Sequence, residues 1–202
     1  MSIEEHKKHI ENVIDRTFEI IKNVYDNQQE KNGLKGESSG SRIIFPMKRD
    51  GETRISEQEL RFIFVEQLNK KIQEGWDIYY SVETPTRDTY YFKGDNPARK
   101  DDGQSANFDL VIHNSNYSRI ALIEFKANNP EEHEYKKDLA KLNNEKEGDG
   151  LLRYFIEIVK ASDSGTYKNI HGKIQGCESI FRCYSLDGKG EITYNIFRAP
   201  QE

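Results

Sequence analysis

Two apolar runs, Phe108–His113 and Arg119–Ala127, flank a polar turn, Asn114-Ser115-Asn116-Tyr117-Ser118. Alternation on either side of such a turn predicts an antiparallel hairpin, and the turn fixes which residues face each other. Pairing about the midpoint near Asn116-Tyr117 sets Asp109 opposite Glu124. Opposed residues share a face of the sheet with Cβ atoms ~4.5–5.5 Å apart. Lys126, two residues past Glu124, lies on that face as well. Leu110, Ile112, Ile123 and Phe125 point the other way. The chain must therefore build a sheet that tolerates two carboxylates and a lysine side by side.

The rest of the sequence supplies elements to surround that hairpin. Residues 3–30 carry Ile10, Val13, Ile14, Phe18, Ile21, Val24 and Tyr25 at steps of three and four, the spacing of an amphipathic helix. A Gly/Ser-rich connection at 31–42 leads to a short extended piece, Arg42–Met47, and a turn at Arg49-Asp50-Gly51. Ser56, with Glu59 three residues on, marks a capping box that opens a helix to about Ile72. Its apolar face is Leu60, Ile63, Phe64, Leu68 and Ile72. At ~100° per residue Glu57 falls inside that face, while Glu59 and Glu66 fall opposite. Trp76–Val82 and Thr89–Phe92 read as two strands joined by Glu83-Thr84-Pro85, followed by a polar loop from Lys93 to Gly103. A charged helix is expected over 131–146 with Tyr135, Leu139 and Leu142 inward, then a central strand Leu151–Lys160. Ser179–Tyr184 and Glu191–Phe197 form a terminal hairpin. The expected architecture is α/β, a mixed β-sheet flanked by helices with an additional N-terminal helix and a C-terminal hairpin.

Composition limits the function classes. The aromatic and β-branched content suffices to close a core in 202 residues despite 32% charged residues. No apolar run approaches a membrane span and no signal-peptide core is visible, so a cytoplasmic location and no membrane partner are expected. A net charge of −5 gives no global attraction to nucleic acid but leaves room for a local basic groove. Cys177 and Cys183, six apart in a predicted strand, are too distant to bridge and lack histidines for a zinc site. Of the five histidines, the His6/His9 pair reads as exposed on the first helix. Phosphate-binding glycine loops and nucleophile-elbow motifs are absent.

Chemistry therefore concentrates on the hairpin. Carboxylates opposed across a sheet repel and favour a divalent cation between them, and oxygen-rich ligation selects Mg²⁺ or Mn²⁺. A Glu-x-Lys triplet alone recurs by chance in so charged a chain, and Asp109 with Lys126 would also make an ordinary cross-strand ion pair. The register-matched Asp109, the triplet Glu124-Phe125-Lys126 on an apolar strand and the inward Glu57 together point to a site. This series, with Lys137-Asp138-Leu139 on the following helix, resembles the PD-(D/E)XK nuclease superfamily, the restriction-endonuclease-like fold, over about residues 55–160. Phe108 stands where that pattern has proline, a position that donates no ligand.

The expected division is a domain over 55–202 preceded by an N-terminal helix and linker, 1–54, read as a dimerisation or partner-docking element; the resemblance itself leaves the first helix and the terminal hairpin unexplained. It implies that Asp109, Glu124 and the backbone carbonyl of Phe125 bind Mg²⁺, with Mn²⁺ an alternative. Lys126 would orient the attacking water, and Glu57 would complete the cluster directly or through water. Lys93, Arg99 and Lys100 in the loop, and Lys136 or Lys137 on the helix, are the candidates for nucleic-acid contact, with Tyr90, Tyr91 and Phe92 available for stacking. The expected function is a metal-dependent nuclease acting on DNA, as a homodimer where both strands are cut. The alternative is a catalytically dormant binding or regulatory subunit on the same fold.

Overall fold

The computed structural model describes residues 1–29, 40–51, 53–91, 103–128, 131–161, 178–186 and 190–198. In chain order the elements are α1 (Ile3–Gln29), α2 (Glu57–Gln73), β1 (Ile78–Tyr90), β2 (Gln104–Asn114), β3 (Arg119–Ala127), α3 (Glu132–Leu142), β4 (Leu152–Ala161), β5 (Glu178–Leu186) and β6 (Gly190–Arg198). A single sheet runs β1-β2-β3-β4-β6-β5. All neighbours are antiparallel except β3 and β4, which are parallel and joined by α3. The mixed sheet flanked by helices is thus present, and the terminal hairpin forms its β5–β6 edge.

The two faces of the sheet are covered differently. On one, Ile10, Ile14, Phe18 and Ile21 of α1 and Leu60, Ile63, Phe64 and Leu68 of α2 pack with Leu110, Ile112, Ile123, Phe125 and Ile156 of the strands. Each such side chain contributes about 1.5–3 kcal/mol by leaving water. The apolar stripe of α1 is therefore spent inside the chain, leaving its polar face outward. On the opposite face a smaller cluster joins Val111, Leu122 and Phe155 to Phe108 and to Tyr135 and Leu142 of α3.

Local signals act as the sequence requires. The Ser56 N–H donates to Glu59 at 3.1 Å, closing the capping box of α2. In the β2–β3 turn, Asn114 Oδ1 accepts from the N–H groups of Asn116 and Ser118 at 2.9 and 3.0 Å, an Asx turn. The Arg42–Met47 piece forms no strand of its own. Instead the Gln28 side-chain amide pairs with the backbone of Phe45, donating to its carbonyl and accepting from its N–H at 2.8 Å each.

Three expectations need correcting. Trp76–Val82 and Thr89–Phe92 are not separate strands: β1 continues through Glu83-Thr84-Pro85, with its register shifting between Pro85 and Thr89. Proline is tolerated there because β1 is an edge strand, where a missing N–H faces outward. The helix expected over 131–146 ends at Leu142. There Asn144 Oδ1 accepts from Lys146 N–H at 3.0 Å and starts a separate 3₁₀ turn, Glu145–Glu147. His6 is not exposed. It is 8% accessible, and its Nδ1 accepts the Trp76 indole N–H at 3.2 Å while His9 stacks on the same indole.

Two outcomes follow. Phe64, fully buried and edge-on to Phe125, is expected on replacement by alanine to cost about 3–5 kcal/mol in urea unfolding. Burial, with the N-terminus and His9 nearby, pushes His6 below its ordinary value, so the folded state holds it neutral. That contribution is present above the unfolded value of about 6.5 and is lost as pH falls through the lower folded value. Between about pH 7.5 and 5.5 the melting temperature of the wild type should fall further than that of His6→Gln, measured by circular dichroism.

Candidate functional site

Parallel strands joined by a crossover helix open a crevice at their C-terminal ends. Glu124 and Lys126 occupy that end of β3, beside α3. From Ile112 towards the site the hairpin register is the expected one, Leu110 facing Ile123 and Val111 facing Leu122; next to the turn it shifts by one residue, so that His113 faces Arg119. Beyond Leu110, Asp109 Oδ2 accepts the Phe125 N–H at 2.7 Å. Asn128 closes β3 in a left-handed conformation, φ 67°, which asparagine tolerates. Its side-chain amide donates to Ile55 O at 3.0 Å, and its N–H donates to Ile158 O at 2.7 Å. The start of α2, and Glu57 with it, is thereby fixed to the end of β3.

A chain of ion pairs fills this corner. Lys126 lies 2.8 Å from Asp138 Oδ2 and 3.9 Å from Glu57 Oε2. Asp138 Oδ1 takes Lys141 at 2.9 Å, and the same ammonium pairs with Glu124 Oε1 and donates to Asn107 O at 2.9 Å. Arg61 on α2 bridges Asp109 at 2.7 Å and Glu83 at 2.6 Å. Glu124, Lys141 and Asp138 are 2%, 3% and 4% exposed. Five carboxylates, Glu57, Glu83, Asp109, Glu124 and Asp138, thus meet three cations, Arg61, Lys126 and Lys141.

The protonation states follow from burial and neighbours. Burial pushes the Glu124 carboxyl well above its ordinary range; Asp138 and Asp109 add to the rise, and Lys141 opposes it. Burial also raises Glu57, with Lys126 pulling it back. For Lys126, burial works against the ammonium, but Asp138, Glu57 and Asp109 outweigh it and lift the group above its ordinary value. Lys141 is held charged in the same way, mainly by Glu124 and Asp138. Both lysines are therefore protonated at neutral pH.

These groups border a cleft of about 730 Å³. Asp109, Glu124, Lys126, Asp138 and Lys141 line one part of it, and Lys137, Tyr91 and the Gln104–Asn107 stretch of β2 another. Gly103 lies against the Tyr90 backbone, where a Cβ would approach the carbonyl to 2.4 Å. Tyr90 is buried, with its hydroxyl donating to Glu147 at 3.1 Å, and so does not offer a stacking face. Glu57 sits at the margin of the helix's apolar face, its side chain 43% exposed. Lys93, Arg99, Lys100 and Phe92 lie outside the described residues.

Among the described residues no three Asp, Glu, His or Cys side chains form a metal-binding group. The available donors are the Asp109 and Glu124 carboxylates and the Phe125 carbonyl, all hard oxygens. Mg²⁺ commonly takes only one or two protein carboxylates and keeps water or phosphate in its other positions. Lys141, whose ammonium sits on Glu124, Asp138 and the Asn107 carbonyl, is a stand-in cation showing oxygens already converging on positive charge. Hard oxygens of this kind are what a small divalent cation takes, and of the three donors Glu124 is the one that also meets the Lys141 ammonium.

Arg61 and Lys141 are not among the residues singled out in the sequence, and Asp138 stands there only as part of the helix motif Lys137-Asp138-Leu139, with no role of its own. Asp138 carried a signal: it lies within the inward stripe Tyr135, Leu139 and Leu142, where a charge is costly unless paired. Arg61 and Lys141 carried none, since one long cation among many reads as solvated surface.

Compared with protein-family models, curated proteins and solved structures, the chain matches none. Asp138 is expected to be the most sensitive position of the cluster. Asp138→Ala leaves the buried Lys141 and the half-buried Lys126 short of a partner and should cost about 3–5 kcal/mol in chemical denaturation.

Proposed function

We propose that this chain is a metal-dependent nuclease of the PD-(D/E)XK type, hydrolysing phosphodiester bonds in DNA. The observation that carries this reading is the meeting of Asp109, Glu124 and Lys126 at the C-terminal end of β3, with Lys126 anchored on Asp138. Asp109, Glu124 and the Phe125 carbonyl would hold Mg²⁺ or Mn²⁺. When bound, the ion would supply charge to the scissile phosphate and lower the pKa of an attacking water.

The protein's own groups have distinct tasks. Lys126, protonated through Asp138 and Glu57, cannot accept a proton; it orients water and lends positive charge to a phosphate gaining negative charge. Arg61 fixes one oxygen of Asp109 while the Phe125 N–H fixes the other, so the carboxylate is preorganised. Lys137 on the cleft wall would meet the nucleic-acid backbone.

A second reading is favoured by one specific feature: Asp109 and Glu124 already carry protein cations, Arg61 and Lys141. A dormant nuclease-fold binding or regulatory subunit would hold its carboxylates in this way.

Supercoiled plasmid with Mg²⁺ or Mn²⁺, and EDTA as control, separates the two. The nuclease reading expects metal-dependent nicking that falls at least about a hundredfold in Lys126→Ala and Asp109→Asn. Equal inertness of wild type and variants on plasmid, single-stranded DNA and RNA overturns it in favour of the binding subunit.

A further inference from the structure

Lys141 is set apart from the other described lysines by where it ends. It leaves the last turn of α3, crosses the small apolar cluster beside the Phe108 ring, and terminates in an all-oxygen cage. Its ammonium touches Glu124 Oε1, Asp138 Oδ1 at 2.9 Å and the Asn107 carbonyl at 2.9 Å. At 3% exposure the cation cannot be exchanged for a solvent ion without displacing the side chain. A buried ammonium with three oxygen partners is a costly arrangement when apolar packing would serve α3 equally well. Glu124, however, is a proposed metal ligand, and at 2% exposure its carboxyl can serve as an anionic ligand only with a cation at hand.

We propose that Lys141 is the resident counter-ion of Glu124 and sets the affinity of the site for a divalent cation, an inference that rests on the metal-dependent reading of the same site. With no metal bound, its ammonium is the cation that Glu124 meets at the cleft. When a metal binds, the same charge stands against it across the shared carboxylate. The site thereby stays folded while empty and takes metal only where the concentration is high enough to overcome a neighbouring positive charge. Asp138 gives the ammonium a second partner on its own helix, so Lys141 can loosen from Glu124 without becoming unpaired.

The test is binding of Mn²⁺ alone, followed by the loss of its free-ion electron paramagnetic resonance signal at about pH 8, above the ordinary carboxylate range. Lys141→Gln keeps a hydrogen-bond donor and removes the charge; it is expected to bind Mn²⁺ about tenfold or more tightly than wild type. Lys141→Arg should stay near the wild-type affinity, and Asp109→Asn should weaken binding. An unchanged or weaker affinity in Lys141→Gln overturns the proposal. If the Gln variant fails to fold, the wild type answers directly. The nitrogen NMR signal of the Lys141 ammonium, assigned by its absence from Lys141→Arg, should move as Mg²⁺ is titrated in, and an unmoved signal overturns the proposal. Tighter binding in Lys141→Gln with no cleavage by any variant sustains the counter-ion role and fails the nuclease. Metal-dependent cleavage with an unshifted isotherm fails the counter-ion role alone.

Discussion

Asp138 holds two lysines at once, and most of what is unusual about this molecule depends on it. Through Lys126 it ties α3 to the end of β3 and reaches Glu57 on α2; through Lys141 it reaches Glu124 and the β2 backbone at Asn107. One buried carboxylate therefore links the crossover helix to both strands of the central hairpin. Burying ions so completely stabilises little on balance, since desolvation offsets most of the attraction. What it supplies is definition: each charge has one place in which it is paired, and any slip of α3 along the sheet would strand several charges together.

The same division of labour runs through strands β1 to β4. The face under α1 and α2 is held by apolar packing, whereas the α3 face combines a small apolar cluster with buried polar hubs. Glu147, fully buried in the turn after α3, accepts from the N–H groups of Arg87 and Asp88 at 2.8 and 3.1 Å and pairs with Arg119 at 3.1 Å. It thereby satisfies backbone groups of β1 where the ladder is irregular. Tyr135 donates to Glu157 on β4, whose strand neighbour in register is Lys126. The apolar face gives the fold its stability, and the polar face fixes the geometry of the cleft.

Much of this could be read from residue order because short-range rules govern it. The hairpin register follows from the turn at Asn114–Ser118, held by its Asx hydrogen bonds, together with a one-residue shift between Ile112 and His113, and the juxtaposition of Asp109 with Glu124 follows from both. The helical stripes of α1 and α2 and the Ser56 cap are equally local. What escaped was set by distant partners. His6 reads as surface until Trp76, seventy residues on, closes over it. Pro85 reads as a break because its tolerance depends on β1 lying at the sheet edge. Lys141 and Arg61 become informative only when the oxygens they meet, on other elements, are in place.

The irregularity of β1 has a consequence for the company this chain keeps. A long straight edge strand presents a row of free N–H and C=O groups onto which another chain can lay a strand of its own. Here Pro85 withholds a donor midway, and the register shift that follows carries Arg87 and Asp88 out of the regular ladder to be held by Glu147. The outer rim is thus broken into two shorter stretches in place of one continuous template. The turn that organises the cleft face also keeps thirteen residues of edge strand from becoming a seed for aggregation.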